Sequence, residues 1–247
     1  MRPVVFDAAG TLLEVADPVG RVYAECAREA GAALDAEAIE RGFAAAMNAA
    51  PPLAFGRLGP AALEAAERAW WRAMAQRALE EAQAGAGFDF ARFFDLAWRR
   101  FASPQAWRVP TDVRPALRRL RAAGYPLAVF SNWDQRLIPL LDAVGLAGFF
   151  AHVVFSSALP AAKPDPAAFD AAREAMERDL SIREEPPIMV GDRIDHDVAA
   201  ALAAGWSAIW LDRLGTDTEP SPGARRVRTL AELDKALIDL GAARLSL

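Results

Sequence analysis

The chain has a single cysteine, Cys26, among 247 residues, so no disulfide can close within it. Cys26 follows Val22 at helical spacing in an apolar run, and a buried, unreactive thiol in a reducing compartment is expected. Histidine is nearly as scarce. His152 and His196 are read as solvent-facing or structural, with His196 placed between Asp195 and Asp197 to tune an acidic loop. Lysine occurs only at 163 and 235, against 26 arginines, and no thermostability is inferred from that bias. No apolar run approaches eighteen residues without a charge, and no signal-peptide apolar segment precedes the first strand, so a cytoplasmic protein without a membrane span is expected. Basic excess is missing as well: the net charge is −5 and the pI about 5.2, which supplies no field for nucleic acid or an anionic membrane.

What remains is an ordinary globular balance, 53% hydrophobic and 25% charged, in a chain long enough for one large domain or two unequal ones. Val4-Val5-Phe6 reads as a short buried strand that delivers Asp7 to its carboxyl end, followed by the Gly10-Thr11 turn. From Asp17 to about Ala102 the pattern is helical. Asp17-Pro18 reads as a helix start with Asp17 as cap, and Asp35 caps a second helix. Pro51-Pro52 and the stretch from Gly56 to Pro60 interrupt the run. A longer helix follows with Leu63, Ala66, Trp70 and Met74 on its apolar stripe and Glu64, Glu67 and Arg72 elsewhere. Phe90, Phe93, Phe94, Ala97, Trp98 and Phe101 then repeat a wide apolar helix face. Among these aromatics most are core, with Trp70, Trp71 or a member of the Phe stripe as candidates for substrate contact.

Strand and helix alternate afterwards. Thr111 is read as the cap of a helix ended by Gly124; Pro126–Phe130, Val153–Phe155, Ile188–Val190 and Ala208–Leu211 are four further strands. The segment 212–226 reads as a loop and 231–240 as a last amphipathic helix. The expected fold is α/β: a doubly wound, parallel, Rossmann-like sheet from residues 1–14 and 100–247, with an all-helical domain, 15–99, inserted through two crossings near 13–17 and 101–109.

Each of four polar groups falls just past an apolar strand or opens a helix: Asp7, Ser131-Asn132, Lys163, and Asp192 with Asp195 and Asp197. In a parallel sheet all strand carboxyl ends open on one edge, so groups far apart in sequence converge there. Carboxylates suit a hard cation, and a hydroxyl, an ammonium and a metal suit a transferring phosphoryl group.

These stretches, in this order, resemble the four motifs of the haloacid dehalogenase superfamily, whose phosphatases write the first motif D-x-D-G-T. The resemblance covers residues 1–14 and 100–215, and the helical block falls where one subgroup carries its cap domain. It implies that Asp7 is a covalent nucleophile and, with the carbonyl of Ala9 and with Asp192, a ligand of Mg²⁺. Gly10, Thr11, Ser131, Asn132 and Lys163 are implied in substrate binding, Lys163 also in orienting Asp7, and Asp195 and Asp197 in supporting the metal ligands. A small phosphorylated substrate and a monomer or homodimer follow from the same resemblance.

The chain departs from the phosphatase pattern at Ala9, where the second aspartate serves as general acid and base. Four readings compete: a Mg²⁺-dependent phosphohydrolase or phosphotransferase, slow or limited to good leaving groups; a phosphonoacetaldehyde-hydrolase-like enzyme; a 2-haloacid dehalogenase; and a catalytically silent protein that binds a phosphorylated ligand or a partner. Residues 15–100 contain no lysine for a Schiff base, which weighs against the second. The dehalogenases carry Tyr two residues after the nucleophile and lack the Gly-Asp of the fourth motif, so Ala9 and Asp192 weigh against the third. A branch that departs from the second aspartate and carries a Trp-Trp pair in its cap, as Trp70-Trp71 here, resembles the chain most.

Overall fold

The computed structural model describes residues 1–80, 82, 87–177 and 185–242. The remainder, which falls within the expected ranges 15–99 and 100–247, lies outside the described residues.

Six short strands form one sheet: β1 (Val4–Phe6), β2 (Leu127–Ser131), β3 (His152–Phe155), β4 (Ile188–Gly191), β5 (Ser207–Leu211) and β6 (Arg225–Val227). Their spatial order is β3-β2-β1-β4-β5-β6, and every neighbouring pair is parallel. This is the doubly wound arrangement, and its order reverses between β1 and β4, where α/β sheets open a crevice at their carboxyl ends. The register aligns Phe6 with Val129 on one side and Val190 on the other, so Asp7, Ser131 and Asp192 leave the sheet close together. Val4, Val5 and Phe6 are wholly buried, as a central strand covered on both faces requires.

On one face Phe130, Phe169 and Trp206 interlock edge to face, with both ring-centroid distances 5.3 Å. Helices Val113–Ala122, Leu137–Ala143, Pro166–Met176 and Leu233–Asp239 connect or follow the strands. Asp165 caps the third of these by accepting the Ala167 N–H at 2.9 Å. Thr111 does not cap the first. Asp112 occupies that boundary without a capping bond, and its Oδ2 accepts from Thr229 and Arg213 instead. β6 begins within the last two residues of the stretch read as a loop and ends at Val227: a three-residue edge strand carrying two arginines shows no apolar alternation.

Residues 15–52 and 59–108 form a second compact unit. Its helices are Val19–Glu29, Ala36–Asn48, Pro60–Leu79 and Phe90–Ala102. Asp35 and Asp89 cap the second and fourth, while the first starts after Pro18 without a side-chain cap; Asp17 instead pairs with Arg21 at 2.7 Å. Tyr23 centres the core of this unit between Phe93 and Phe43, at 5.2 and 5.9 Å. Glu67 is buried, since Leu63, Glu67, Trp70 and Met74 follow a 4-3-4 spacing that keeps residue 67 on the apolar stripe and leaves Ala66 at its margin.

Residues 53–58 belong to the sheet unit, so the chain passes between the units four times rather than twice. The segment is tied down where its N–H groups and carbonyls find partners: Phe55 N–H donates to Ser157 O (3.0 Å), Gly56 N–H to Leu159 O (2.8 Å), and the Ser156 hydroxyl to Leu53 O (2.7 Å). Pro51-Pro52 had marked the break but not its anchoring, which depends on residues about a hundred positions away.

Candidate active site at the carboxyl edge of the sheet

Asp7 leaves β1 with its N–H bonded to Val190 O at 2.9 Å. Lys163, only 4% exposed, donates through Nζ to Asp7 Oδ1 (2.8 Å), Asp197 Oδ1 (2.5 Å) and the Phe130 carbonyl (3.1 Å). An ammonium has three donors, and these contacts use all three. Burial alone pulls the Lys163 pKa down, but the carboxylates of Asp197 and Asp7 more than compensate and hold it above the ordinary lysine value. Asp7 is shifted upward: burial outweighs the opposing pull of Lys163, with Asp197 adding repulsion and the Ser131 hydroxyl relief.

Asp192 lies on the other side of the switch point. Its pKa is pushed up to about 7, first by burial and then by the neighbouring charges of Asp7 and Asp197. One oxygen from each of Asp7, Asp192 and Asp197 falls within 4.8 Å of the other two. Both Asp197 oxygens already accept hydrogen bonds, Oδ1 from Lys163 and Oδ2 from the Arg193 N–H at 3.0 Å, so Asp7 and Asp192 are the better placed to bind a cation. An all-oxygen set with excess negative charge fits a hard divalent ion such as Mg²⁺.

Close backbone approach makes room for these carboxylates. A Cβ on Gly10, whose φ is +80°, would fall 2.4 Å from Asp192 Oδ2; one on Gly191 would fall 2.3 Å from Asp197 Oδ2. Beyond Asp7 the chain folds back on itself, with the Thr11, Leu12 and Leu13 N–H groups all directed to Ala8 O. Ala9 is exposed on that turn.

Several sequence-predicted residues make contacts within the protein here. Thr11 is fully buried, and its hydroxyl donates to Asp192 Oδ1 at 3.3 Å. The Asn132 amide closes a reciprocal pair with Lys163, Nδ2 donating to Lys163 O (2.8 Å) and Oδ1 accepting from Lys163 N–H (2.9 Å). Its side chain therefore fixes the lysine loop. Ser131 is buried at the end of β2, beside Asp7. Asp195 is not part of the cluster: its exposed carboxylate pairs with Arg193 at 3.2 Å and His196 at 2.9 Å. Sequence reasoning missed Trp210, whose Nε1 donates to Asp192 O at 3.0 Å and whose ring lies 4.9 Å from the Arg226 guanidinium. On the sequence it is simply an apolar strand residue.

The fold and this edge define a Rossmann-like α/β protein with an aspartate–lysine pair and an acidic cluster at its switch point. The family model for haloacid dehalogenase-like hydrolases matches residues 1–205. Haloacid dehalogenase-like hydrolase domain-containing protein 3 of Bos taurus is 30% identical over 209 residues, 83% of this chain and 79% of that protein. A phosphoserine phosphatase of Thermus thermophilus is 32% identical over 161 residues, covering 64% of this chain and 63% of its own. The crystal structure of an HAD phosphatase from Thermococcus onnurineus superposes with a TM-score of 0.65 at 25% identity, over 99% of this chain and 100% of that one. The chain belongs to the haloacid dehalogenase-like hydrolases.

Proposed function

We propose that the protein is a Mg²⁺-dependent phosphohydrolase or phosphotransferase that acts on a small phosphorylated metabolite through Asp7. The observation that carries this reading is the Asp7–Lys163 pair beside Asp192 at the switch point of the sheet. The likeness to a phosphoserine phosphatase and to an HAD phosphatase supports the phosphoryl chemistry.

Asp7 attacks phosphorus; the new P–O bond forms as the bond to the leaving oxygen breaks, and that oxygen leaves as an alcohol with a proton taken from solvent water. Water then opens the aspartyl-phosphate, releasing inorganic phosphate and restoring the carboxylate. Lys163 holds Asp7 Oδ1, which orients the nucleophile and opposes the upward pull of burial on its pKa. Asp197 and the Phe130 carbonyl in turn fix the ammonium, and Asn132 fixes the backbone that carries it. Mg²⁺ would be held by Asp7, Asp192 and the carbonyl of Ala9, and when bound it neutralises carboxylate and phosphoryl charge. The helical unit is assigned the role of a substrate-selecting cap, from its place in the chain after the first motif.

Ala9 favours a second reading, a protein that binds a phosphorylated ligand without turning it over, because no acid stands two residues beyond Asp7.

Calorimetry tests the metal. Asp192→Asn is expected to weaken Mg²⁺ binding by at least about 10-fold, since it removes the charge of one ligand. Equal affinity in variant and parent would overturn the assignment. Hydrolysis of phosphorylated metabolites, with Asp7→Asn as background, separates enzyme from binding protein.

The pH dependence of stability is a separate expected outcome. The folded-state pKa of Asp192, about 7, lies above the ordinary 3.8, so the folded protein holds this proton more tightly than the unfolded chain does. Metal-free protein should therefore lose stability as pH rises from 3.8 through about 7 and change little from this group above that. Melting temperatures between pH 5 and 8 should fall more steeply for the parent than for Asp192→Asn, and saturating Mg²⁺ should remove the difference. Parallel curves without metal would count against an uncompensated Asp192.

A further inference from the structure

Arg213 follows the last core strand before the loop to β6 and has no place in the mechanism above. Its guanidinium is directed inward. Nη2 donates to the Thr11 carbonyl at 3.1 Å, and Nη1 donates to Asp112 Oδ2 at 2.9 Å. The same Asp112 oxygen also accepts from the Thr229 hydroxyl at 2.7 Å and the Leu230 N–H at 2.8 Å. Burial would raise the Asp112 pKa, but these donors together lower it, so the carboxylate stays ionised opposite the guanidinium. Side-chain exposure of the pair is 21% for Arg213 and 14% for Asp112, too little for water to replace the bond freely.

Thr11 is the link to the site. Its carbonyl accepts from Arg213 while its hydroxyl donates to Asp192, so one buried residue joins the guanidinium to a carboxylate of the acidic cluster. The turn that carries Thr11 has no slack on its other side, because Gly10 already abuts Asp192. Thr11 also lies just before the chain leaves the sheet unit at Glu14, and Asp112 just after it returns at Val109. The Arg213 guanidinium thus fastens together the sheet-unit segments beside the first and last of the four crossings to the helical unit.

We propose that Arg213 is a positioning residue for the cation site: pinned by Asp112, it holds the Thr11 turn so that the Thr11 hydroxyl and the Ala9–Gly10 backbone meet Asp192 in a binding-ready geometry. The inference rests on the Mg²⁺ reading of the site and deepens it. A guanidinium is suited to the task because its planar fork presents two N–H groups in fixed directions to two different acceptors, which an ammonium on a flexible stem does not.

The experiment is a Mg²⁺ titration by calorimetry on the full chain, at a temperature where circular dichroism finds every variant folded. Arg213→Met is expected to weaken Mg²⁺ binding about 10-fold or more, Thr11→Val by a similar factor, and the double variant by no more than the larger single effect, because both act through one link. Arg213→Lys keeps the charge but not the fork and should recover less than half of the loss on a logarithmic scale. Additive losses in Arg213→Met and Thr11→Val, or a lowered melting temperature with Mg²⁺ affinity unchanged, would overturn the proposal and leave Arg213 a structural residue. If Arg213→Met does not fold, Arg213→Lys and Asp112→Asn decide by the same cycle with Thr11→Val. A parent chain that binds no Mg²⁺ would instead sink the metal reading itself, and this inference with it.

Discussion

Aspartate in place of Ala9 is expected to raise the hydrolysis of an unactivated phosphate monoester by about 10²–10⁴-fold, the range that a positioned general acid and base supplies. Position 9 lies two residues past Asp7, the proposed nucleophile, on an exposed turn whose backbone is held by three hydrogen bonds to Ala8 O. A carboxyl group there needs no buried space, and it can shed its proton to the leaving oxygen and then take one from water. An activated aryl ester should gain less in the first step, because its leaving group scarcely needs a proton. The comparison is made at saturating Mg²⁺ with Asp7→Asn as background. An Ala9→Asp protein that folds and binds Mg²⁺ but hydrolyses neither ester above that background would favour the ligand-binding reading.

Methionine in place of Lys163 costs about 3–5 kcal/mol of folding stability at pH 7.5 and lowers any phosphatase rate to the Asp7→Asn background. The side chains are close in length, so the loss is one of charge rather than volume. Lys163 supplies the only cation within bonding distance of Asp7 and Asp197 among the described residues, and without it two buried carboxylates face each other. Asp7, which burial already shifts above the ordinary 3.8, would then favour its protonated form further, so the deficit is small below about pH 4 and grows as pH rises. Asp197→Asn added to Lys163→Met should recover part of the loss, since the amide is neutral and its oxygen can still accept from Arg193 N–H. Urea unfolding of the three proteins at pH 4 and 7.5 measures this; a loss below about 1 kcal/mol at pH 7.5 would mean that water already screens the pair.

Legibility differed from residue to residue for physical reasons. Val4–Phe6, Leu127–Ser131 and Ile188–Gly191 are apolar on both faces, so their strand character is written in consecutive residues. β6 is an arginine-bearing edge strand, and its pairing with β5 is a long-range event with no local pattern. Asp195 and Asp197 stand two apart in the same acidic run, yet the turn over Ile194–Ala199 sends one to solvent and the other to Lys163.

By itself the sequence determined the class of fold and the edge where these polar groups gather, because strand periodicity, turn residues and parallel topology place Asp7, Ser131 and Asp192 at strand ends, and Lys163 ahead of a helix, on one side of the sheet. Only the tertiary structure decided what each polar group does there. Thr11 serves Asp192, Asn132 serves the Lys163 backbone, and Arg213 reaches Thr11 across 202 positions of sequence. A hydrogen bond is decided by a few tenths of an ångström and by direction, and those come from how strands and turns distant in the chain are packed, not from the identity of their neighbours in sequence.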